Sequence, residues 1–162
     1  MIDEIKDYVI DKYYKTKHGF KNLIVWFPVI WKDRNYDDYY LLKLIDYKLN
    51  LIAKEMKGNF VGADDEIKII NSIREVINRI ITDDYCQEEW EKHKETYGKL
   101  ILKINKTLKT IDVVYSKVDT KEKEESGNKE LYRIMDLEEE RKRRDIEFVF
   151  NNIRDNIRKW WV

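Results

Sequence analysis

Trp31, Asp33, Arg34, Asp37 and Tyr40 fall within ten residues and combine groups that recognise ligands. Arg34 carries a planar fork that pairs bidentately with phosphate or carboxylate. Trp31 and Tyr40 offer flat faces, and aromatics with arginine make both base-stacking platforms and interface hot spots. Asn35 reads as an N-cap, and the free N–H groups of a helix start favour an anion. Asp33 and Asp37 stand at i and i+4, on one helix face. With Asp38 they oppose an anion unless they are paired or bridged by a cation. The competing reading is structural: the apolar residues before the motif are core, and its Asp and Arg groups cap helix ends and pair with one another. The spacing therefore marks a ligand- or partner-binding site at these five residues, with no catalytic role assigned.

Other chemistry-bearing residues do not complete a constellation. Glu88, Glu91 and Glu95 share a helical face, and Asp84 lies four residues before the first of them. Magnesium takes few carboxylates and keeps its waters, so a metal-dependent nucleotide hydrolase of all-α type is an alternative reading. Such enzymes pair one acidic helix motif with another, and no second half is found here. His93 lies on an apolar seam, where a hydrogen-bonded core histidine is the commoner case. His18 stands alone at an expected helix end. Cys86 is the single cysteine, which excludes an internal disulfide and a cysteine-based zinc site. The block Glu138 to Asp145 reads as a solvated helix face laced by pairs at i, i+4, with a phosphate patch over Arg141–Arg144 as the sharper alternative. No glycine-rich phosphate loop is present. No cofactor and no metal ion are expected.

Composition narrows the function classes. In 162 residues, 32 basic and 32 acidic side chains balance, which disfavours general nucleic-acid binding. No apolar run approaches the roughly 20 residues that span a bilayer. The start, Met1-Ile2-Asp3-Glu4, lacks the layout of a signal peptide. With the lone cysteine, this predicts an intracellular protein.

Five glycines and one proline favour long helices over a sandwich or barrel. The spacing predicts a helix over 3–17 ended by Gly19, then a kinked helix or two short pieces meeting at Pro28. Helices follow near 36–57, 64–82 and 86–115, the last with a possible bend at Gly98. Residues 117–128 read as a mobile loop, and a long last helix runs from about Lys129 to Trp161. The prediction is all-α: residues 1–162 as a single-domain helical bundle of about five helices. Leu41, Leu42, Leu44, Ile45, Leu49, Leu51 and Ile52 cover much of one helix's circumference, more than a surface helix buries, so a homo-oligomer is expected.

Trp31-Lys32-Asp33-Arg34-Asn35-Tyr36-Asp37, followed by Tyr40, Leu44, Lys48-Leu49, Met56 and Val61-Gly62-Ala63, resembles a family of small uncharacterised helical tailed-phage proteins. Their shared pattern is roughly Trp-x-Asp-Arg-Asp-Trp-Asp, present here in the wider form Trp-x-Asp-Arg-x-(Trp/Tyr)-Asp, with a helix carrying Lys-Leu and Met and a Trp-Trp pair near the C-terminus, matched by Trp160-Trp161. Asn35 and Tyr36 depart from the family's acid and Trp. The resemblance implies a phage origin and a helical fold, and brings no activity. Together with the missing catalytic constellation, it leads to an expected non-enzymatic binding protein of the host cytoplasm. Its partner would be a host protein, such as a defence component, or a small nucleotide signal. A virion or replication assembly part is the remaining alternative.

Overall fold

The computed structural model describes residues 2–32, 39–60, 62–105 and 110–160, with side chains described throughout except at 2–4, 105 and 110–112. The described chain is mostly helical and divides into two compact units, Met1–Ala63 and Asp64–Val162.

The first unit holds α1 (Ile2–Ile30) and α2 (Tyr39–Asn59). The expected stop at Gly19 is overturned, and of the two alternatives at Pro28 the two short pieces are excluded: α1 runs through both positions as one helix. Gly19 has nothing within 4 Å of where a Cβ would sit, so it imposes no turn. Pro28 sits in the last turn; it lacks the N–H that would reach the Ile24 carbonyl, and the helix ends two residues later. Trp31 N still donates to Phe27 O (2.9 Å). Tyr47 of α2 donates its hydroxyl to Val25 O (2.7 Å), and its ring meets Trp26 edge-on. In α2 the residues at 3-4 spacing turn inward, with Leu42, Leu49 and Met56 buried and Ile45 and Ile52 half-buried.

The second unit begins with α3 (Asp64–Thr82), which has the predicted bounds. The 3-4 spacing of Ile69, Ile73, Val76 and Ile80 predicts a seam slightly rotated from the observed one. Ile70, Ile73, Ile77 and Ile80 are fully buried, while Ile69 and Val76 are half-buried. α4 (Gln87–Tyr97) follows a tight corner. Then come an antiparallel hairpin of β1 (Leu100–Asn105) and β2 (Thr110–Tyr115), α5 (Lys121–Asn156) and a 3₁₀ turn, Ile157–Trp160. α5 packs along α3, with Ile134 and Val149 fully buried.

The helical prediction holds in outline, with two local departures, one of which adds a short two-stranded sheet. The helix predicted over 86–115 ends at Tyr97. Gly98 takes φ 84°, ψ −169°, which no helix continues through. Leu100, Leu102 and Ile104 also alternate at the period of a strand, and Ile, Val and Thr suit strands. Short apolar runs satisfy both periods, and the glycine decides. The loop predicted over 117–128 is helical from Lys121 onward. Thr120 caps it, its hydroxyl accepting from Lys123 N (3.3 Å), and Glu122 and Glu124 sit in the favourable first turn. Gly127 is buried there beneath Tyr97 and Tyr115.

Candidate functional site

The site marked in the sequence is only partly in view. Asp33, Arg34 and Asp37 lie outside the described residues. Trp31 is 73% exposed just past α1, its ring 5.0 Å from that of Phe27. Tyr40 is 6% exposed in α2, with Lys43 Nζ 5.2 Å from its ring centre. Trp31 is thus available to a partner, whereas Tyr40 is committed to packing.

The charge block of α5 is not the solvated ladder expected. Of its predicted pairs only Glu140–Arg144 is made among the described contacts. Arg143 pairs locally with Glu147, outside the block, while Glu138, Arg141, Lys142 and Asp145 reach across to α3, α4 and the corner between them. Asp145 takes both guanidinium N–H groups of Arg79 (2.7 and 2.6 Å) and the hydroxyl of Tyr85 (2.7 Å). Lys142 pairs with Asp83 (2.6 Å). Arg141 donates to Glu89 (3.0 Å) and to Cys86 Sγ (3.2 Å). Glu138 accepts from Trp90 Nε1 (3.0 Å).

These contacts need the corner between α3 and α4. Asp83 (φ 55°) and Cys86 (φ 53°) both adopt the left-handed backbone, uncommon for residues with a Cβ. Between them the chain turns Tyr85 and Cys86 inward, where they join Ile134 in a small core flanked by Trp90 and Leu137. Burial pushes the Tyr85 phenol up, and the adjoining Asp145 carboxylate adds to it. Burial also raises the Cys86 thiol, against the opposing pull of Arg141. Both groups therefore stay protonated at neutral pH.

Arg79, Arg141 and Arg144 line a cleft of about 330 Å³ at this corner, with Asp84 and Asp145 as its acids. Each guanidinium already holds a carboxylate: Asp145, Glu89 and Glu140 respectively. An entering anion would compete with these carboxylates for the guanidinium groups. The suggested carboxylate stripe does not converge: among the described residues no three acids, histidines or cysteines are placed to hold a metal. His93 is buried, its Nε2 donating to Gly127 O (3.0 Å), and it packs against Tyr97 and Tyr115. That is the core-histidine reading.

The hairpin is the feature the sequence reading missed. Its register pairs Leu100 with Tyr115, Leu102 with Val113 and Ile104 with Ile111. Side chains alternate across a strand, so Leu100, Leu102, Ile104, Val113 and Tyr115 share one apolar face. Tyr115 at the base is buried, but Leu102 (68%), Ile104 (72%) and Val113 (53%) are open to solvent. Among the described residues the strands pair only with each other. The base is clamped instead: Ser116 N donates to Lys99 O, Lys99 N to Ser116 Oγ, and Lys117 N to Tyr97 O. The alternation at 100, 102 and 104 beyond a glycine was the signal available in the sequence.

No family profile, curated protein or solved structure matches the chain. Among the described residues no helix is long and apolar enough to cross a membrane.

Proposed function

We propose that the chain is a non-enzymatic binding protein of a tailed phage, acting in the host cytoplasm on a host protein such as a defence component. The observation that carries the binding reading is the apolar face of the hairpin. A two-stranded hairpin is marginal by itself, and exposed apolar faces of this kind mark places where another protein docks. Its unpaired strand edges would also accept a further strand, a common mode of peptide recognition. The titratable groups of unit two support the reading from the other side, since Arg79, Tyr85 and Asp145 are committed to one another and Arg141 is paired with Glu89. The phage assignment rests on the resemblance of the segment around Trp31–Asp37.

The test is paired affinity capture from host lysate with wild type and Leu102→Lys/Ile104→Lys. A host protein that binds purified wild type directly, and binds the variant at least tenfold more weakly while its melting temperature is unchanged, supports the reading. Equal capture by both argues against the hairpin. Catalytic turnover of nucleotides with Mg²⁺ would replace binding with hydrolysis.

A second reading has its own observation. Three guanidinium groups converge on the cleft at Arg79, Arg141 and Arg144. That charge would suit the phosphates of a nucleotide signal if Glu89 or Glu140 were displaced. Titration calorimetry with nucleotides against wild type and Arg141→Ala separates this from the hairpin.

A further inference from the structure

α1 carries an exposed apolar stripe that nothing in its own unit covers. Val9, Tyr13, Phe20, Leu23, Phe27 and Ile30 recur at spacings of three, four and seven, and all are open to solvent. At about 100° per residue these positions fall on one side of the helix. The side that meets α2, marked by the half-buried Val25, Trp26 and Val29, lies roughly 150° away, and Tyr8, Ile10 and Tyr14 are exposed outside the stripe. The stripe is therefore not a core face left slightly open. It is the outer face of a helix about 43 Å long.

We propose that this stripe is a self-association face on which a second copy of the chain packs antiparallel. Three observations choose that occupant, and none depends on the function proposed above. The first is spacing. Positions that sum to 36 bring Val9 opposite Phe27, Tyr13 opposite Leu23 and Thr16 opposite Phe20. The stripe is thus its own complement about residue 18, as a two-fold interface requires. The second is charge. The acids of this helix, Asp3, Glu4, Asp7 and Asp11, all precede Lys12, whereas residues 12–32 hold five lysines and no acid. Parallel copies would stack like charges on like. Antiparallel copies lay the acidic end of one along the basic end of the other. The third is area. With Ile5, Ile24 and Trp31, the stripe has nine exposed apolar side chains. At on the order of 100 Å² each, they supply the roughly 800 Å² per partner that a stable interface buries. The small Thr16 sits near the middle, where two crossing helices come closest.

Sedimentation equilibrium of the full chain tests the proposal. The expected wild-type mass is twice 19.9 kDa. Leu23→Glu/Phe27→Glu places charge on the stripe at two exposed positions and should return the monomer mass with helicity and melting temperature of the units unchanged. A monomeric wild type at tens of micromolar overturns the proposal, including one that binds anionic lipid vesicles through the stripe instead. So does a dimer that survives the double substitution. Orientation is read independently, on a chain whose stripe is intact, from a nitroxide at Lys6→Cys. Antiparallel copies place the two labels about 36 Å apart along the helix, and parallel copies about 10 Å. The short distance overturns the antiparallel arrangement even if the double variant fails to fold.

Discussion

Asp145 holds Arg79 with both carboxylate oxygens, at 2.6 and 2.7 Å, and the same carboxylate takes the hydroxyl of Tyr85. One acid in α5 thereby fastens α3 and the corner that follows it. A bidentate pair with a third donor is stronger and more directional than a surface ion pair.

Asp145→Ala should therefore destabilise by roughly 1–3 kcal/mol, discounted because Arg79 is about half exposed. Denaturant unfolding of the wild type and variant gives the difference. The pH dependence follows from direction. Burial tends to raise the Asp145 carboxyl, but hydrogen bonds from Arg79 and Tyr85 outweigh it and leave it below the ordinary 3.8. A depressed acid stabilises the fold above its unfolded value, and that contribution is lost as pH falls through the folded one. Stability of wild type should thus fall below about pH 4 more steeply than that of Asp145→Ala. Parallel curves for the two proteins would deny Asp145 this role.

Gly98 and Gly19 should respond oppositely to alanine. At Gly98, with φ 84°, a Cβ would stand 2.1 Å from Ser116 Oγ and 2.9 Å from Lys117 N. Those atoms clamp the hairpin to α4, so Gly98→Ala should lose on the order of 2 kcal/mol or more and loosen the strands. Gly19 is helical with open space around it. Gly19→Ala should stabilise α1 by up to about 1 kcal/mol. Circular dichroism melts distinguish the two, and a stabilising Gly98→Ala would contradict the geometry.

Cys86 should be a slow thiol. It is buried, and burial holds it protonated, while thiolate is the reactive form. Labelling by a disulfide reagent at pH 8 should run at least tenfold slower in native protein than after denaturation. Equal rates would mean that the corner at Asp83–Cys86 opens freely.

The helices were legible where one period was unopposed. α3 has its predicted bounds because Asp64 starts it and its seven isoleucines and one valine recur at helical spacing. Its exact seam was not legible, since Ile69 and Ile70, or Val76 and Ile77, are equally apolar neighbours and only contact with α5 chooses between them. The hairpin was missed because Ile101, Ile104, Leu108 and Ile111 satisfy a helix as well as a strand, and the choice lies in the backbone of Gly98. The charge block was read as solvated because local pairs at i, i+4 are visible in a sequence. Its partners Arg79, Asp83 and Glu89 lie more than fifty residues away and are brought near only by folding. Of the marked site, Trp31 is open as a binding residue should be. Tyr40 lies on the buried side of α2, a fact its neighbours Tyr39 and Leu41 do not reveal.

Trp160 offers a last test, because it is buried without being satisfied. Its indole sits 7% exposed at the end of the 3₁₀ turn, and among the described residues Nε1 has no acceptor. A buried donor without a partner forfeits its hydration and gains nothing in exchange, a loss of roughly 1–3 kcal/mol. The ring itself repays burial through its area. Phenylalanine keeps an aromatic ring and removes the donor, at the expense of some volume, which costs up to a few kcal/mol if the gap cannot close. The two effects oppose each other, so Trp160→Phe should leave stability within about 1 kcal/mol of wild type. Trp160→Ala removes the whole ring and should cost about 3–5 kcal/mol. The separation between the two variants is the prediction, read by denaturant unfolding. If Trp160→Phe were as damaging as Trp160→Ala, the indole N–H would be making a bond that holds the end of α5 in place.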